Sequence, residues 1–205
     1  MHVLVAYASR HGATQGIAER IAETLRTAGI DAEAQPVASV KSPADYDAFI
    51  IGSAAYMFHW LKDAVELVRR NRGVLEGKPV WLFSSGPLGT EATDAKGRDQ
   101  KVVTIPKEIP DLAGSVHARE HRVFFGAYER NRKHVGLTER FISAMPAAKK
   151  TLPEGDFRDW PEIEAWAAAI AGDLLTVLPS KAAAASTPTP ANVRSKGHGL
   201  GHSRI

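Results

Sequence analysis

The 205-residue sequence predicts an α/β doubly wound sandwich, a five-stranded parallel sheet in the order 2-1-3-4-5 with helices on both faces. Three observations predict it. Short apolar runs such as Val3–Ala6, Phe49–Ile51 and Val80–Phe83 alternate with amphipathic stretches of helical period. The runs are continuously apolar, as strands covered on both faces are. These runs, the first, third and fourth strands, exit into stretches of small residues, and in this strand order those exits converge where open α/β sheets bind ligands.

The elements follow in chain order. The first strand begins at His2 and runs into Ser9-Arg10-His11-Gly12-Ala13-Thr14. A helix over Ala13–Ala28 presents Ile17, Ile21 and Leu25 on one face and Glu19, Arg20, Glu23 and Arg26 elsewhere, and Gly29 stops it. Asp31–Val37 is a polar strand suited to a sheet edge. Asp47–Gly52 is the third strand, followed by a loop over Ser53–Trp60 and a helix over Leu61–Arg72 with Leu61, Ala64, Val65 and Val68 as its stripe. The fourth strand, Pro79–Ser84, exits through Ser85-Gly86-Pro87-Leu88-Gly89. Residues 90–103 read as a polar inserted loop, and Pro106 suits the first position of a short helix. Arg122–Gly126 is the fifth strand. A helix near His134–Met145 presents Leu137, Phe141, Ile142 and Met145. The last helix opens on Asp159-Trp160-Pro161-Glu162, close to a capping box, and buries Ile163, Trp166, Ala167, Ile170 and Leu174.

Composition sets outer limits. A hydrophobic content of 44% with 24% charge suits a globular domain with ample core. No run of apolar residues is long enough to cross a membrane. With the first strand starting at His2, a cytoplasmic location is expected, with at most peripheral contact to the inner face of a membrane. The chain has no cysteine, so thiol redox chemistry and thiolate metal sites are excluded and redox work needs a bound cofactor. Lys181, Arg194, Lys196 and Arg204 supply the net charge of +3, because residues 181–205 contain no acid. The body is therefore near neutral and carries no nucleic-acid footprint. From Leu178 onward Ala, Ser, Thr, Pro and Gly dominate. The expected organisation is a folded domain over residues 1–178 and a disordered tail over 179–205, with His198 and His202 solvated rather than metal-bound.

The candidate site is built on the first turn. Ser9 and Thr14 offer hydroxyls to phosphate oxygens, Gly12 permits close backbone approach, and the helix that starts at Ala13 points free N–H groups and its positive dipole end at the same place. A bare βα turn that binds nothing is the plain alternative. Gly12 and Gly16 lack the G-x-G-x-x-G spacing of a dinucleotide site, no Gly-Lys-Ser/Thr is present, and Ala8-Ser9 replaces the acids of a phosphate-accepting receiver. Two further stretches converge on the loop: Ser53-Ala54-Ala55-Tyr56-Met57-Phe58 and Ser84-Ser85-Gly86-Pro87-Leu88-Gly89. Core packing is the favoured reading for Met57, Phe58 and Trp60, and a site role for Tyr56. Lys96, Arg98 and Lys101 read as solvated surface. No metal-ligand spacing and no nucleophilic triad stands out.

Ser9-x-x-Gly12-x-Thr14 directly after a first strand resembles the phosphate loop of flavodoxin-like proteins. Tyr46-Asp47 leading to Ile51-Gly52-Ser53, and Gly155-Asp156-Phe157-Arg158-Asp159-Trp160 before the last helix, resemble the menaquinone-dependent protoporphyrinogen oxidase group within them, over residues 2–177. The resemblance implies FMN, with its phosphate held by Ser9, Arg10, His11, Gly12, Ala13 and Thr14. It places the ring between Ser53, Ala54, Ala55 and Tyr56 on one side and Ser84, Ser85, Gly86, Pro87 and Gly89 on the other. It further implies oxidation of protoporphyrinogen IX on flavin N5, with electrons leaving to a quinone and no protein base identified. An electron carrier working between protein partners, one of them a reductase, and a cofactor-free binding module are the alternatives.

Overall fold

A computed structural model describes residues 1–128 and 153–184, with side chains through Thr176. The expected helix near His134–Met145 and most of the tail from 179 lie outside the described residues. Within the unit Met1–Ala171, parallel strands β1 (His2–Ala8), β2 (Asp31–Pro36), β3 (Ala48–Tyr56), β5 (Val80–Ser85) and β6 (Glu120–Phe124) form one sheet in the order β2-β1-β3-β5-β6. This is the expected doubly wound order, since the additional β4 (His59–Trp60) only pairs back onto β3. A separate pair, β7 (Ala127–Tyr128) and β8 (Gly155–Asp156), is antiparallel.

The strands are buried because their side chains are apolar on both faces. On one face Leu4, Ala6, Phe49, Ile51 and Leu82 join Ala64 and Val68 of α2 (Lys62–Arg70) and Leu112 of α5 (Ile109–Ser115) in one cluster. The other face is covered by α1 (Ala13–Thr27), through its buried Ile17, Ile21 and Leu25, and by the first part of α6 (Trp160–Ala184). There Phe83 and Phe124 both meet Trp166 edge to face and tilt against each other, with ring centroids 5.5–6.3 Å apart, an arrangement that adds to simple area burial. A Cβ at Gly52 would collide with the Phe83 ring. The glycine on β3 is thus explained by aromatic packing beneath the site. The edge strand β2 is mostly half-exposed, in keeping with its polar sequence.

Several boundaries differ from those read in the sequence. The helix expected over Leu61–Arg72 is interrupted at Asn71, whose side-chain amide donates to Leu67 O at 2.8 Å, and a short α3 (Arg72–Leu75) follows. The polar insert is ordered. Asp94 accepts from the Lys96 and Arg98 backbone N–H groups and from the Arg98 guanidinium, and Asp99 caps α4 (Gln100–Val103). Pro106 lies in the turn before α5 rather than at its start. Asp159 caps α6 as expected, accepting from Glu162 N at 3.1 Å. Glu162 does not complete the box, because its carboxylate binds Lys101 Nζ. The last helix runs on through Ala184.

Candidate functional site

The turn after β1 has the form an anion cradle needs. Gly12 sits in the left-handed region (φ 82°), which reverses the chain without steric cost. Its N–H donates to Ser9 Oγ at 3.0 Å, leaving the serine O–H available as a donor. The first intrahelical bond of α1 runs from Gly16 N to Gly12 O at 3.0 Å. The N–H groups of Ala13, Thr14 and Gln15 therefore have no intrahelical acceptor, no side chain caps them, and the first turn contains no acid. Thr14 is fully buried, and among the described residues its Oγ1 has no hydrogen-bond partner. Such a hydroxyl costs about 1–3 kcal/mol, which a phosphate oxygen accepting from it would recover.

Tyr56 lies against this turn. The Arg10 guanidinium lies 5.0 Å from the Tyr56 ring centroid, and the His11 ring is 6.5 Å from it. Tyr128, on β7, meets His11 edge-on at 6.1 Å. Tyr128 borders the turn, a placement that motif reading misses. The rule that ligands gather at strand carboxyl ends would have found it, because it leaves the fifth strand four residues beyond Phe124. A recess of about 320 Å³ opens beside the loop, between Ser9, Arg10, Pro36 and the Leu61–Asp63 start of α2.

The second stretch is a strand and a hairpin where a loop is expected from sequence. β3 continues through Tyr56 and folds back onto β4 with the pairs Ala55–Trp60 and Tyr56–His59. Met57 and Phe58 form the two-residue turn, both with positive φ (50° and 65°), and are 84% and 51% exposed. Their expected role as core staples is therefore corrected, while Trp60 is buried as anticipated. The reversal follows from the anchoring of Trp60. Its Nε1–H donates to Ser84 Oγ at 2.8 Å, Phe58 O accepts from Lys107 N at 3.0 Å, and Glu108 binds both His59 Nδ1 and Trp60 N.

Ser53 and Ser84 are fully buried and engaged by the protein. Ser53 Oγ accepts from Leu61 N at 3.0 Å and donates to Ala54 O. Ser84 Oγ lies 2.8 Å from His121 Nε2 as well as from the Trp60 indole. The indole can only donate, so Ser84 Oγ accepts from it and still has its proton and a second lone pair for His121 Nε2. Burial pushes the His121 imidazole down to about 4, against the pull of Glu120. Both hydroxyls are thus spent within the protein, and only backbone and shape at these positions are left to offer a ligand. The β5 exit is tied across the sheet, with Gly86 N donating to Phe124 O and Gly126 N to Pro87 O. Ala55 Cβ lies 3.7 Å from where a Gly86 Cβ would stand, so the β3 and β5 ends do adjoin. Ser85 is buried against Gly126, and Gly89 (φ 114°) lies in open space farther along the exit. Of the basic insert, Arg98 pairs with Asp94 and Lys101 with Glu162. Among the described residues no cluster of His, Asp or Glu has metal-binding geometry, and no helix is long and apolar enough to cross a membrane.

This doubly wound sheet with a Ser/Gly/Thr turn ahead of α1 has a counterpart among known families. A family model described as flavodoxin domain matches residues 4–152. The chain belongs to the flavodoxin domain family. Solved structures of the same fold include a flavodoxin from Streptococcus pneumonia TIGR4, at 16% identity and TM-score 0.52, with 84% of this chain and 99% of that one covered. A mutant flavodoxin from Pseudomonas aeruginosa matches at 17% identity and TM-score 0.51, covering 84% and 97%. Rubredoxin oxygen:oxidoreductase from Desulfovibrio gigas matches at 16% identity and TM-score 0.52, covering 86% of this chain but 37% of its own length. At these identities the likeness is one of fold. No curated protein matches the chain in sequence. FMN, the cofactor the flavodoxin resemblance implies, fits the turn at its phosphate end. The unpaired amides, the unsatisfied Thr14 hydroxyl and the absence of an acid in the first turn of this flavodoxin domain are what a phosphate monoester requires.

Proposed function

We propose that this chain is an FMN-dependent oxidoreductase. The observation that carries the reading is Thr14 Oγ1, buried without a partner among the described residues in a turn that also offers the first-turn amides of α1. Ser9, Gly12, Ala13 and Thr14 would hold the phosphate, with Arg10 and His11 beside it. The ends of β3 and β5 (Ser53–Tyr56 and Ser84–Gly89) would border the ring, with Tyr56 and Tyr128 as aromatic walls. Bound FMN supplies a group that takes up a hydride at N5 and gives up electrons singly or in pairs. The protein binds, orients and shields it. Purified protein should be yellow, or turn yellow on adding FMN, and should release FMN on denaturation. A colourless protein that binds no FMN would sink the reading.

The finer reading is oxidation of protoporphyrinogen IX with a quinone as electron acceptor. It is supported by the resemblance of the Gly155–Trp160 segment, whose Arg158 lies against the first turn of α1. Turnover of protoporphyrinogen with menaquinone is its test. A second reading, an electron carrier between protein partners, is favoured by Met57 and Phe58, which stand exposed on an anchored hairpin beside Tyr56. A carrier would exchange electrons with a flavin reductase and leave protoporphyrinogen untouched.

A further inference from the structure

The Gly155–Trp160 segment contains a cation whose placement flavin binding alone does not explain. Arg158 Nε and Nη2 bind the two oxygens of Asp156 at 2.7 and 2.6 Å, and its guanidinium stacks on Trp160, 4.4 Å from the ring centroid. Its Nη1 lies 3.4 Å from the carbonyl oxygen of Ala13, the first residue of α1. The side chain is 17% exposed, so this is a fixed charge rather than a waving one. Room for it exists because residue 16 is glycine, where a Cβ would collide with Nη1.

A cation held against the first turn of a helix opposes the helix dipole. α1 has no acid in that turn to offset it, and Arg10 adds a second positive charge from the loop. Asp156 carries the matching negative charge but stands nearly half in water, whereas the guanidinium is mostly buried against the helix, so the pair turns its positive end toward α1. An anion at the helix end would restore the balance, where the Thr14 hydroxyl is buried without a partner among the described residues.

We propose that Arg158 is a specificity residue for this anion, making the site prefer a flavin that carries a phosphate over the same flavin without one. The inference rests on the FMN reading above. Asp156 takes up two of the three guanidinium nitrogens, so Arg158 acts on the phosphate mainly through space. The preference is therefore electrostatic and weakened by salt.

The test is a pair of affinities, for FMN and for riboflavin, measured by flavin fluorescence quenching on apoprotein. Arg158→Gln should lower FMN affinity by about tenfold and leave riboflavin affinity within about twofold, with added salt narrowing the FMN preference more in the wild type than in the variant. Gly16→Ala is the second variant. It keeps Arg158 but displaces the guanidinium, favours the helix by its own propensity, and should lower the same ratio even if Arg158→Gln does not fold. An equal loss for both flavins would make Arg158 a structural clasp and overturn the inference. So would wild-type FMN binding with an unchanged ratio in the variants, and that result would leave the FMN reading standing. Wild-type protein that binds neither flavin would overturn the cofactor reading and this inference together.

Discussion

Thr14 and His121 are buried polar groups whose different surroundings lead to different expectations. Thr14 Oγ1 has no partner among the described residues, so its hydroxyl is a cost until an acceptor arrives. Thr14→Val should weaken FMN binding by roughly 1.5–3 kcal/mol, the worth of a hydrogen bond to a charged group. The apoprotein should melt no lower than the wild type, since a methyl replaces an unsatisfied hydroxyl. Titration with FMN and a thermal melt check both halves. His121 meets Ser84 through Nε2 and is held neutral by burial. An unfolded chain takes up a proton on this residue as pH falls through 6.5, whereas the folded chain does not until about 4. Between those values the unfolded state binds more protons. The contribution of His121 is thus complete above pH 6.5 and lost as pH falls through the window, at most about 3 kcal/mol. His121→Gln should flatten the pH dependence of unfolding free energy between pH 4 and 6.5, as read by urea denaturation. A variant with the wild-type slope would mean that His121 titrates normally.

At the scale of elements, the hairpin after β3 is the main departure from what the sequence displays. A two-residue turn with positive φ at both positions is ordinarily written Asn-Gly, and Met57-Phe58 conceals it. Ala54, Ala55 and Tyr56 carry strand character too weakly to extend β3 on paper, and the partner that decides the matter, Ser84, is distant in sequence. The break at Asn71 is hidden in the same way, in a side-chain bond to Leu67 that no periodicity registers. Placing two bulky residues in the left-handed region costs stability. Replacing Met57-Phe58 by Asn-Gly should raise the melting temperature by about 2–4 °C, for a gain near 1 kcal/mol. If the tip docks a redox partner, the same variant should slow electron exchange while leaving FMN affinity unchanged. A lower melting temperature would contradict the turn geometry.

For the whole molecule, strand order is legible because each buried strand is an unbroken apolar run and each crossover is helical, which leaves few topologies. The Ser9–Thr14 turn is legible for a similar reason: its residues are contiguous, so spacing alone displays them. Tyr128 and Arg158 come from distant parts of the chain, and only the fold brings them to α1. On paper Ser84 is a ligand-facing hydroxyl, yet the fold commits it to Trp60 and His121. Because FMN would bind only the folded chain, a hundredfold excess over its dissociation constant should stabilise the protein by about 2.7 kcal/mol. Calorimetry with graded FMN should show a midpoint that climbs with ligand concentration, and a midpoint indifferent to FMN would deny the linkage. The bare tip of the hairpin has one more use. The chain contains no cysteine, and Met57 is 84% exposed. Met57→Cys would therefore give the whole chain a single thiol, in the open and beside Tyr56. A spin label or fluorophore placed there would make the protein its own reporter, able to sense when a partner arrives.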